Sequence, residues 1–252
     1  MRDPSAKAKP PLILACDTTQ GACSLALWRG DLVASRLTPM QKGHAEALMP
    51  MMEELCAEAA IDLRAITHLA VTHGPGTFTG VRVGLSAMRG LALALDAPLK
   101  TYGTLAVMAA ACPQELPLIV AIDAKRETFY TQSFAAKGAP LTAPQALSAP
   151  DILAMAQSLT RPEGEKKGSQ KIALCGSGTP LLVEACELSD AAGLFHVLDA
   201  PPYPQAAHLA RLAAEDAGLP EKWENLPPAE PLYLRPPDAT LPDPSKNIKW
   251  RV

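Results

Sequence analysis

The chain has 252 residues, 48% of them apolar, so it can bury a sizeable core and has room for one large or two small domains. A net charge of −3 gives no broad basic field, which excludes tight unaided binding to nucleic acid. The six cysteines show no C-x-x-C spacing and several sit in apolar runs, Met1 to Pro11 has no apolar core of a signal sequence, and no stretch of some 18 uninterrupted apolar residues follows; a reduced, cytoplasmic, non-membrane protein is expected.

Three β-rich runs, near 12–16, 23–28 and 31–38, are joined by Gln20-Gly21 and Gly30-Asp31, which are hairpin signals. A helix is predicted over 44–60 from the apolar residues at 45, 48, 49, 52, 55, 56 and 59, with Pro50 expected to kink it. A strand over 67–72 leads into Gly74-Pro75-Gly76-Thr77-Phe78-Thr79-Gly80 and a long apolar helix ending at Leu95. Three glycines in seven residues suit a sharp strand-to-helix turn, which either aims N–H groups at an anion or packs closely as a plain connection; the Lys-Ser/Thr ending of a P-loop is missing. A short strand over 98–101 and a helix over 105–111 complete this half.

The second half repeats the order: strands over 118–123 and 128–134, a weaker third strand near Leu141, a helix over 150–159, a strand over 171–175, a helix over 178–188, a strand over 194–198 and a helix over 205–218. The segment from 161 to 170 reads as a solvated loop, and the proline-rich end from 227 as extended surface chain. A strand meander followed by alternating helix and strand, twice over, predicts an α/β protein. Two mixed sheets flanked by helices should form a two-lobed body of the actin-like ATPase (ASKHA, ribonuclease H-like) class. The expected division is a flexible tail over 1–11, a first lobe over 12–104, a second over 105–237 and a tail over 238–252.

In that architecture each lobe opens with a strand ending in Asp and a glycine turn that holds phosphate. Here the matching places are Asp17-Thr18-Thr19 and Asp123-Ala124-Lys125-Arg126, neither with a glycine after its Asp, so the phosphate grip is expected to be degraded. Asp17, Gly74, Gly76, Gly176 and Gly178 remain the candidates for residual anion or nucleotide contact, although a strand-end Asp also caps a turn and strand-to-helix turns need glycines anyway. Among His44, His68, His73, His196 and His208 no two stand four apart, so an H-x-x-x-H metal site is absent; His44 reads mainly as a helix-boundary residue, and no catalytic set emerges.

The two long helices carry more. The first is apolar all round its opening turns, with Leu48, Met49, Met51 and Met52 nearly in succession, and methionines suit a surface that repacks against another protein. The second has Gly80, Gly84 and Ala87 on one face and Val81, Leu85, Met88, Ala92 and Leu95 on another, so each helix is expected to have two neighbours, a partner among them.

The runs LILACDTTQGACSLAL, GHAEALMP, AVTHGPGTFTGVRVGLSAMRGLALAL, LIVAIDAKRETFY and AEPLYLRPP resemble the bacterial TsaB (YeaZ) family, from about Leu12 to Pro237. The resemblance implies a non-catalytic, cofactor-free scaffold or activating subunit. Its complex installs threonylcarbamoyl on N6 of the adenosine next to the tRNA anticodon (t6A). The same resemblance implies pairing with the catalytic subunit TsaD, recruitment of the ATPase TsaE, a homodimer when alone, and tRNA contact only through the complex. It places the partner interface on Leu48, Met51, Met52, Leu55, Arg82, Leu85 and Arg89, where a charge at Met51 or Leu85 should weaken assembly more than folding. The competing readings are a metal-dependent glycoprotease-like peptidase and a small-molecule kinase of the actin-like superfamily.

Overall fold

A computed structural model describes residues 10–113, 115–159, 171–188 and 193–235. The expectations for the N-terminal tail, the 161–170 loop and the C-terminal tail fall almost wholly outside these residues. The first half forms β1 (Ile13–Asp17), β2 (Ala22–Trp28), β3 (Leu32–Pro39), α1 (His44–Glu58), β4 (His68–Thr72), α2 (Phe78–Leu95) and β5 (Leu99–Tyr102). The second forms α3 (Thr104–Ala109), β6 (Leu118–Asp123), β7 (Thr128–Phe134), β8 (Gln145–Ser148), α4 (Ala149–Leu159), β9 (Ile172–Cys175), α5 (Thr179–Glu187), β10 (Phe195–Val197) and α6 (Ala206–Ala217).

The two sheets have the same design. One runs β3-β2-β1-β4-β5 and the other, from its opposite edge, β8-β7-β6-β9-β10. In each, the opening strand pairs antiparallel with the next and parallel with the fourth, as Asp17 opposite Ser24 and Cys16 beside Val71 show for the first sheet. Asp123 opposite Phe129 and Val120 beside Cys175 repeat the pattern in the second. Each sheet is therefore mixed, and the molecule is a two-lobed actin-like fold.

Alternation along the strands fixes which helix covers which face. Leu14, Cys16, Leu25, Leu27, Leu69 and Val71 point to one side of the first sheet, into a core completed by Leu48, Met52 and Leu55 of α1 and by Val81, Leu85 and Met88 of α2. Ile13, Ala15, Ala26 and Ala70 point to the other side, where Ala206, Leu209, Ala210 and Ala213 of α6 meet them. Alanine on both surfaces lets α6 approach closely. Chain order and packing thus part company: α6 follows the second sheet in sequence yet lies on the first. It also touches α3 through Val107, and Arg211 Nη2 donates to the carbonyl of Ala110 at 3.0 Å. The second sheet is filled on one side by Leu105, Met108 and Ala109 of α3 and on the other by Ile152, Ala156 and Leu182 of α4 and α5.

One local expectation changes. The third strand of the second half lies at Gln145–Ser148, where it pairs with Thr128–Thr131; near Leu141 there is only a single bridge between Phe134 and Pro140. α1 runs unbroken through Pro50, whose missing N–H removes one bond to the carbonyl of Glu46. Finally, α2 has the length and apolar composition to cross a membrane, with mean hydropathy 1.2 over 18 residues, but its apolar stripe is spent on the first core.

Candidate functional site

Of the candidates named from the sequence, Gly76 and Asp123 line a cleft between the lobes, whereas Asp17, Gly74, Gly176 and Gly178 lie behind its lining. Its cavity of about 740 Å³ is lined by Gln20, Gly21 and Gln41 from the first sheet, Gly76, Thr77 and Phe78 from the glycine turn, and Asp123, Ala124, Lys125, Tyr130 and Ser177 from the second lobe. Tyr203, Tyr233 and Arg235 complete it. A larger depression of about 880 Å³ lies around Leu12, His68 and Trp223 at the opposite end of β1, away from both Asp-bearing turns.

Asp17 closes β1 and is fully buried. Its Oδ1 accepts from the hydroxyls of Thr19, at 2.7 Å, and Thr72, while Oδ2 has no partner among the described residues. Burial pushes its carboxyl up to about 6, against the lowering effect of those hydroxyls. The equivalent Asp123 behaves differently. It is largely sheltered but accepts from the Lys125 N–H at 2.8 Å and pairs with Lys125 Nζ at 2.6 Å; burial raises it, and the Lys125 contacts together outweigh that and hold it below the usual carboxylate range. The two carboxylates are turn-holding groups: one sealed in the core and one capping the turn after β6.

The candidate glycines are occupied by the chain itself. A Cβ at Gly76 would lie 2.4 Å from the carbonyl oxygen of Thr19, and one at Gly80 2.1 Å from that of Thr18. Gly74 has φ +114° and abuts the carbonyl of Leu232. In the second lobe Gly176 (φ +108°) and Gly178 both press on the carbonyl of Ala121. These are close backbone crossings. The small face of α2 is likewise used internally, since a Cβ at Gly84 would meet Thr18 Oγ1 at 2.6 Å.

A strap missed as a site in the sequence, residues 229–235, ties the turns together. Leu232 N–H donates to the His73 carbonyl at 2.7 Å, and His73 Nδ1 lies 3.1 Å from the Glu230 carbonyl. Tyr233 stacks on Phe78 with ring centroids 5.5 Å apart, Arg82 covers the Phe78 ring at 3.6 Å, and Arg82 Nε donates to the Tyr233 hydroxyl at 2.8 Å. Arg235 reaches across the cleft to the carbonyl of Ala124 at 3.1 Å. That contact steadies a turn in which Lys125, Arg126 and Glu127 all have positive φ. The run AEPLYLRPP was the available signal. His44, at the start of α1, places Nε2 3.0 Å from the Gln20 carbonyl and so braces the first hairpin.

The residues named for a partner interface divide sharply. Leu48, Met51, Met52, Leu55 and Leu85 are buried in the chain's own first core, at 6% exposure or less. Arg82 and Arg89 are exposed, Arg82 within the strap contact just described. The outward sides of the helices instead present Met49 at 40% and Leu93 at 87% exposure. Among the described residues no group of three His, Cys, Asp or Glu side chains comes together as a metal site.

A family model described as "TsaD: tRNA N6-adenosine threonylcarbamoyltransferase" matches residues 38–241, well over half of the chain. The protein named "tRNA threonylcarbamoyladenosine biosynthesis protein TsaB" of Escherichia coli strain K12 is 35% identical over 121 residues, 47% of this chain and 52% of its own length. Its namesake in Bacillus subtilis strain 168 is 34% identical over 121 residues, 47% and 53% of the two chains. The chain thus spans about half the length of the curated relatives it matches. The solved structure of YeaZ from Pseudomonas aeruginosa has 27% identity and a TM-score of 0.66, covering 89% of this chain and all of that one. A second Pseudomonas aeruginosa structure, described as an uncharacterized protein with similarity to peptidase YeaZ, has 26% identity and a TM-score of 0.70 over the same share. The chain belongs to the TsaD family defined by that model, in its TsaB/YeaZ branch.

Proposed function

We propose that this chain is a non-catalytic scaffold or activating subunit of the machinery that installs threonylcarbamoyl on N6 of the adenosine beside the tRNA anticodon, pairing with TsaD and helping to recruit TsaE. The observation that carries the reading is the likeness to proteins named for threonylcarbamoyladenosine biosynthesis. It is compatible with the glycine turns, whose Cβ positions are taken up by the carbonyls of Thr18, Thr19, Ala121 and Leu232, so that these glycines serve close backbone crossings.

Docking uses the outward sides of α1 and α2. Met49 and Leu93 supply exposed apolar area, and Arg89, one turn before Leu93, supplies charge at the rim. The same surface serves self-association when TsaD is absent, so the two assemblies compete. Because Phe78 and Arg82 of α2 also hold Tyr233 of the strap, the docking helix and the interlobe cleft share one rigid element.

Reconstitution tests the function. Unmodified tRNA is supplied with TsaC, TsaD and TsaE, with and without this chain, and t6A is quantified by mass spectrometry of nucleosides. The expected result is modification that depends on the chain. Full-rate modification without it overturns the reading, as does peptide hydrolysis or ATP turnover by the isolated chain.

A further inference from the structure

We propose that Cys112 and Cys175 form an oxidation site, a buried thiol pair that closes to a disulfide when the protein meets a small peroxide. Cys112 sits in the turn just after α3 and Cys175 is the last residue of β9. Their sulfurs are 3.3 Å apart, and Cys112 Sγ is also 3.5 Å from the Met108 carbonyl. A disulfide needs about 2.05 Å, so the sulfurs have to close by a little over 1 Å. The turn carrying Cys112 lies outside regular helix and can supply that movement. Both residues belong to the core between α3 and the second sheet, Cys112 keeping 7% of its surface and Cys175 2%.

That asymmetry sets the order of events. Cys112 is the less deeply buried of the two, 7% against 2%, and so the one a small oxidant reaches first. The contact with the Cys175 thiol lowers Cys112, against the upward push of its burial, while Cys175 itself is raised. The Cys112 sulfur attacks one oxygen of hydrogen peroxide; the O–O bond breaks, one water leaves, and Cys112 becomes a sulfenic acid. The Cys175 sulfur then attacks the Cys112 sulfur, the S–O bond breaks, and the departing hydroxide takes the Cys175 proton as a second water. Two thiols are oxidised by two electrons and the peroxide is reduced to two waters.

The bond would pin α3 to β9. Two residues before Cys112, the Ala110 carbonyl accepts from Arg211 of α6, so the cross-link bears on the α3–α6 contact that joins the lobes. Closing the long segment between positions 112 and 175 should raise Tm by several degrees, reversibly.

The test uses the full chain, folded, treated with hydrogen peroxide, alkylated and digested without reductant for mass spectrometry. Six thiols should titrate in denaturant before treatment and four after, with a Cys112–Cys175 linked peptide that dithiothreitol abolishes. In Cys175→Ser the chemistry should stop at a Cys112 sulfenic acid trapped by dimedone; should that variant not fold, the wild-type peptide map decides alone. Retention of all six thiols, linkage of other cysteines with these two left apart, or linkage formed only after denaturation overturns the proposal.

Discussion

Asp17 is a carboxyl kept in the core at a thermodynamic cost, and pH exposes that cost. Its ordinary value of 3.8 rises to about 6 in the folded state, a difference worth roughly 3 kcal/mol. Below pH 3.8 both states hold the proton and the cost is absent. Between 3.8 and 6 the unfolded chain ionises while the folded one does not, so stability falls; above 6 the full cost is present. Asp17→Asn keeps an acceptor for Thr19 and Thr72 without the charge. Its urea midpoint relative to wild type should therefore climb from pH 4 to pH 7, by an amount worth about 2–3 kcal/mol, and parallel curves would contradict this. Arg235 is the residue-scale test of the strap. Arg235→Ala should speed amide hydrogen exchange at Lys125–Glu127 several-fold, since the Ala124 carbonyl loses the Arg235 donor and the Lys125 carbonyl keeps only that of Thr128, and unchanged exchange would remove the strap's role.

At the scale of elements, α2 contains its own control. Gly80→Ala forces a methyl to 2.1 Å from the Thr18 carbonyl, whereas nothing lies within 4 Å of a Cβ at Gly90. Chemical denaturation should show a loss of about 2–4 kcal/mol for the first and a gain of up to about 1 kcal/mol for the second. Equal effects would mean that Gly80 does not sit against the hairpin. The elements themselves were legible because their apolar spacing is strong: β1, β4 and β6 are near-continuous apolar runs, and α2 carries an apolar stripe. β8 was misplaced because Gln145-Ala-Leu-Ser has little β-branched character and takes its conformation from pairing with Thr128–Thr131. The destination of α6 was illegible for another reason. Its alanines could close on any small-residue surface, and only the tertiary arrangement selects Ala15, Ala26 and Ala70. The cleft was half legible: Gly76 and the Asp123 turn were named from the sequence, but Tyr203 and the strap reach it across long sequence separations that no local pattern records.

For the whole molecule, the question is which apolar residues close the fold and which remain for a partner. The resemblance puts the interface on Leu48, Met51, Met52, Leu55 and Leu85, and these are sealed in the chain's own core; α1 is apolar on too many sides for spacing alone to orient it. Met51 and Leu85 lie in the core, so Met51→Asp or Leu85→Asp is expected to cost about 3–5 kcal/mol and to deplete the folded protein, measured by thermal melting, before any effect on assembly can be read. Met49 and Leu93 lie outside that core, and charges there should leave the melting curve within a degree or two of wild type. The direct measurement is calorimetric titration of TsaD with the wild-type chain and with the Met49→Asp, Leu93→Asp double variant, both checked for an equal fold by circular dichroism. The account expects wild-type binding and a loss of at least tenfold in the variant; no wild-type binding, or equal affinity of the two, would contradict it.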